Sequence, residues 1–65
     1  MRIDRIRLCV AVERRGVTYT KLSEISGVSR QTISAVKQGK RCNRETAKKI
    51  ADALDVELSE IMEVR

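Results

Sequence analysis

Gly27 stands between two short segments whose apolar residues recur at helical spacing, and only Gly27-Val28-Ser29 separates them. Glycine adopts a positive φ without steric cost, so this spacing predicts two helices joined by a tight turn rather than one long helix. The first is predicted from about Tyr19 to Ser26, N-capped by the Thr18 hydroxyl, with Leu22, Ile25 and Ser26 facing inward. The second is predicted from about Arg30 to Gln38, N-capped by Ser29. Ile33 and Val36 fall on its core side, and Val28 plugs the gap between the two helices.

The flanking chain reads as support for this pair. Residues 2–15 are predicted to form a helix that stops at Gly16, a residue suited to the left-handed conformation that ends helices. At about 100° per residue, Leu8, Ala11 and Val12 share one face, and Ile3, Ile6 and Val10 lie nearly opposite. One face is core, and the other suits a subunit interface. Ile6, Leu8, Val10 and Val12 also alternate with period two, as in a strand; the length of the segment favours a helix. Gly39-Lys40-Arg41-Cys42 is a predicted loop. Asn43 caps a fourth helix, about Arg44 to Leu54, with Ala47, Ile50, Ala51 and Leu54 as its buried stripe. Asp55 stands where a helix-ending glycine is often found. A short last helix, about Leu58 to Met62, closes the domain with Val56, Leu58, Ile61 and Met62.

Composition narrows the class. Sixty-five residues make one domain, residues 1–65, and a chain this short buries only about 60% of its unfolded surface. Aromatic residues are 2% of the chain, and Trp, Phe and Pro are absent, a balance that favours an all-α fold. The net charge of +5 is uneven. Residues 1–44 carry eleven Lys and Arg against three acids, and residues 45–65 carry three against six. A basic front and an acidic back suit a polyanion bound at one face.

With no His, and with Cys9 and Cys42 as the only thiols, no zinc site, disulfide scaffold or nucleophile–base pair is visible, so neither an enzyme nor a cofactor is expected. Glu57 and Glu60 sit at helix-surface spacing, explained by solvation or helix-dipole pairing. The cysteines read as reduced thiols of a cytoplasmic protein. Charges at Arg2, Asp4, Arg5 and Arg7 break any signal peptide, and no segment approaches the roughly 20 apolar residues that span a membrane.

Leu22-Ser23, Gly27-Val28-Ser29, Ile33, Val36 and the Gly39-Lys40-Arg41 loop, in this order and spacing, resemble the phage repressor and Cro family of helix-turn-helix proteins. So do the Asn43 cap, the Ala47/Ile50/Ala51/Leu54 stripe and the ending Val56-Glu57-Leu58-Ser59-Glu60-Ile61. The resemblance covers about residues 8–62 and implies a five-helix, lambda-repressor-like DNA-binding domain. Helices joined by so short a turn cross at a large angle, and Ser23 supplies a small residue near the crossing. Three positions depart from the family pattern. Relatives often begin helix two with a Gln that touches phosphate and braces the reading helix, where this chain has Tyr19-Thr20. An Arg near the end of helix one is replaced by Val12, and a loop Pro by Cys42.

The resemblance implies that helix three enters the major groove of double-stranded DNA. Arg30 and Gln31, first after the cap, have the chemistry to bond guanine O6/N7 and adenine N6/N7, each good pair giving about 1–3 kcal/mol of discrimination. Ser34 is a third base-contact candidate, with Ala35 beside it, and Thr32 divides between facing inward, meeting phosphate and touching a thymine methyl. Phosphate contacts are expected from Thr18, Thr20 and Lys21 at the start of helix two, from Ser29 and Lys37, and from Lys40, Arg41 and Asn43 after helix three. Helix N-termini present free N–H groups to phosphate, so a cap and a phosphate contact can coincide. Tyr19 divides between core and a sugar contact. A transcriptional repressor binding a palindromic operator as a homodimer is the function implied. Its dimer surface is expected around Leu58, Ile61, Met62 and Val64, with the outer face of helix one as competitor. The alternative is a protein-interaction module of the same fold, such as an antitoxin or co-regulator subunit.

Overall fold

Five helices follow in chain order: α1 (Arg5–Arg15), α2 (Tyr19–Ser26), α3 (Arg30–Lys37), α4 (Arg44–Ala53) and α5 (Leu58–Ile61). They are seen in a computed structural model that describes residues 2–63. Side chains start the first four. Asp4 Oδ1 accepts from the N–H groups of Ile6 and Arg7, and Thr18 Oγ1 accepts from Lys21. Ser29 Oγ accepts from Thr32, and Asn43 Oδ1 from Thr46. Each cap satisfies a donor that the first helical turn leaves unpaired, a contribution of about 1 kcal/mol apiece. The fifth helix is started from within: the Glu60 carboxylate reaches back to the Glu57 N–H at 2.9 Å. Gly16 and Gly27 end α1 and α2 at φ 74°, and Asp55 follows α4 at φ 58°, a conformation that an aspartate tolerates.

The all-α fold, the turn at Gly27 and the buried positions of α3 and α4 agree with the reading from sequence. Leu22, Ile33, Val36, Ala47, Ile50 and Ile61 meet at the centre, each at most 2% exposed. α2 lies against α3 and α4, α1 against α3 and α5, and α4 against α5. A Leu22→Ala truncation at that centre removes contacts worth about 2–5 kcal/mol. The crossing of α2 and α3 is fixed by polar groups as well. Ser23 Oγ donates to the Val28 carbonyl at 2.6 Å, and Ser26 Oγ accepts from the Val28 N–H at 3.2 Å.

Four expectations need correction. The first helix begins at Arg5, not at residue 2, because the Asp4 carboxylate caps it. Ile3 lies outside the helix, 2% exposed, in an isolated antiparallel bridge with Met62, so it belongs to the core and not to the outer face with Ile6 and Val10. Ile25 is 43% exposed. In a helix of eight residues Leu22 occupies the centre of the buried face, and Ser23 and Ser26 take the half-buried flanks at the crossing, which leaves Ile25 on the open edge. Finally, Ile61 is fully buried, so it cannot form part of a dimer surface; Val64, grouped with it, lies outside the described residues.

Candidate nucleic-acid interface

The free face of α3 follows from what its other face buries. Successive residues turn by about 100°, so burial of Ile33 and Val36 directs Arg30, Ser34, Gln38 and Gln31 into one exposed arc. Arg30, Gln31, Ser34, Ala35, Gln38 and Lys40 line a single shallow depression. All three residues expected to read bases are therefore together, and Lys40 is with them. Lys40 is held there by its backbone: its N–H donates to the Ala35 carbonyl at 3.0 Å, and Gly39 N–H donates to Val36 at 3.0 Å. Gly39 makes this reversal at φ 86°, where a side chain would be strained. Gln38, which the sequence reading does not single out, lines the depression as well. Its place four residues after Ser34 and seven after Gln31 is the signal that would have found it.

The residues expected to hold phosphate are more dispersed. Thr18, Ser29 and Asn43 each cap a helix, and each remains exposed. The Ser29 and Thr32 hydroxyls also share a hydrogen bond of 2.8 Å, which gives half-buried Thr32 a local partner. Thr20 and Arg41 are exposed, and neither lines the α3 depression. Lys21 is paired with Glu24 at 3.7 Å, across an exposed turn of α2. Arg30, Lys40 and Arg41 make no ion pair among the described residues, so their charge is free for an external anion.

Lys37 points elsewhere. Its Nζ lies 4.0 Å from the centroid of the Tyr19 ring, an ammonium–aromatic contact between the end of α3 and the start of α2. Tyr19 is half-buried and packs against the core. Burial pushes its hydroxyl above the ordinary pKa, and Cys9 and Glu13 of α1 add to the rise, so the phenol is neutral at physiological pH. Tyr19 thus touches the surroundings of three helices. It thereby links the start of α2 to the end of α3.

The acidic residues gather away from this face. Asp52, Asp55, Glu57 and Glu60 line a depression along α4 and α5, with Arg44 and Lys48 at its margin. Of the thiols, Cys9 is exposed, and Cys42 is half-buried, with burial raising its pKa. Among the described residues no cluster of side chains is suited to a metal ion, and no helix is long and apolar enough to cross a membrane.

Comparison with known proteins gives one finding. A family model described as the Cro/C1-type HTH DNA-binding domain matches residues 7–65, most of the chain. Neither a curated protein nor a solved structure gives a significant match.

Proposed function

Since the chain belongs to the Cro/C1-type HTH DNA-binding domain family, a family of DNA-binding domains and not of enzymes, we propose that it is a sequence-specific regulator of transcription, a repressor, acting as one domain over residues 1–65. The observation that carries this reading is the shared depression on α3. Arg30, Gln31 and Ser34 face outward beside Lys40, which makes no ion pair among the described residues, so groups able to read base edges adjoin a cation able to hold the backbone. Arg30, Gln31 and Ser34 contact bases. Thr18, Thr20, Ser29, Lys37, Lys40, Arg41 and Asn43 contact phosphates, and Lys37 does so while seated on Tyr19.

One domain of this size makes few base contacts, so a two-fold dimer on a palindromic operator supplies the rest, with half-sites about 34 Å apart. The outer face of α1 is the surface we assign to this dimer. Ile6 and Val10 are 76% and 47% exposed there, and Arg7, Arg14 and Glu60 border them with charges of both signs, as a self-complementary patch requires. The same apolar face also suits a protein-interaction module, such as an antitoxin or co-regulator subunit.

Selection of binding sites from random duplex DNA tests the proposal. A conserved palindrome among the selected sites, bound with steep salt dependence, supports the repressor. Feeble binding without sequence preference, beside tight binding to a protein, would replace it with the interaction module.

A further inference from the structure

The N-terminal segment is tied down before α1 begins. Asp4 N–H donates to the Ile61 carbonyl at 2.8 Å, and Glu63 N–H donates to the Arg2 carbonyl at 3.1 Å. This pairing around Ile3 and Met62 fixes where Arg2 and Arg5 leave the backbone. Arg5 then lies along the turn that closes α3. A Cβ placed on Gly39 would stand 3.7 Å from Arg5 Cδ and 3.9 Å from its Nε, which is van der Waals contact.

Arg2, Arg5, Gln38 and Gly39 share a second shallow depression. Gln38 belongs to both depressions, so the reading face of α3 continues through it to the two arginines. Neither arginine makes an ion pair among the described residues. Asp4, their near neighbour, is already engaged: Oδ1 caps α1, and Oδ2 lies 4.0 Å from Arg7 Nε.

We propose that Arg5, with Arg2 beside it, forms a further phosphate-binding subsite for duplex DNA, at the C-terminal end of α3. This rests on the reading of α3 as the element in the groove. The subsite lengthens the backbone footprint from the Lys40–Arg41 loop towards the N-terminus. The Arg5 stem passes beside Gly39, close to where a β-carbon on that residue would stand, which stations the guanidinium at the turn that closes α3. Glu63 lines the same depression, and its carboxylate opposes an incoming phosphate. The subsite is therefore a tempered one, with the two arginines strengthening the grip and Glu63 weakening it.

Titration of the full chain with short duplex DNA of random sequence, over a range of salt concentrations, tests this. Arg5→Gln removes the charge but keeps a polar side chain with part of the original stem. The slope of log affinity against log salt should fall by about 0.9, the value for one lost phosphate contact, and Lys40→Gln should lower it equally. Glu63→Gln should tighten binding. Circular dichroism should show unchanged helicity in all three variants. An unchanged slope for Arg5→Gln, beside a reduced slope for Lys40→Gln, overturns the subsite and leaves the reading of α3 standing. If the unmodified protein binds this DNA without salt dependence, both are overturned.

Discussion

Gln31 and Lys40 line the same depression, yet their chemistry assigns them different work. An amide pairs with a base edge by geometry, whereas an ammonium meets any phosphate. Gln31→Ala should thus relax preference at one or two base positions, reducing affinity for the selected site by roughly 1–3 kcal/mol while leaving random DNA bound as before. Equal losses on both kinds of DNA would make Gln31 a phosphate or structural residue. Residues with strong local preferences were the legible ones. Thr18, Ser29 and Asn43 cap where their hydroxyl or amide chemistry says they should, and Gly27 takes the positive φ expected of it. Residues decided by distant partners were not. Ile3 has the same chemistry as Ile6, but Met62 lies beside one and solvent beside the other.

At the scale of elements, periodicity located every helix, and errors fell at ends and edges. Asp4 shortened α1 because its carboxylate bonds two N–H groups that a longer helix would have engaged within itself. Ile25 was misplaced because eight residues give a helix little more than two turns, too few to average out a flanking position. The brace between Tyr19 and Lys37 was hidden for another reason: contact between α2 and α3 residues eighteen apart depends on the crossing, which spacing alone does not specify. A double-mutant cycle of Tyr19→Leu and Lys37→Met, followed by urea unfolding, should give a coupling of about 0.5–1 kcal/mol, the range for an exposed ammonium on a ring. Additive losses would show that the two side chains are neighbours without a bond of consequence.

The whole molecule measures 29 × 22 × 18 Å and divides its charge between unlike faces. Acids line the α4–α5 depression, while Arg30 and Lys40, without ion pairs among the described residues, line the depression on α3. Such a division of charge orients an approaching domain on a polyanion, and salt weakens that steering. The outer face of α1 carries the prediction for assembly. Ile6→Ser should shift the protein towards monomer in sedimentation and reduce cooperative occupation of paired half-sites, with the grip on an isolated half-site intact. A monomer both free and on a full palindrome at micromolar concentration would sink the dimer.

The bond between Glu63 N–H and the Arg2 carbonyl has a topological meaning as well. Positions 2 and 63 are neighbours, so the path from one to the other is almost a closed loop with a hydrogen-bonded clasp. Ligating the backbone across that clasp with a short peptide would leave every native contact in place and act on the unfolded chain alone, denying it the extended shapes in which its ends part. For a ring of this length the lost freedom corresponds to about 4 kcal/mol. The helical core would be unaware of the seam.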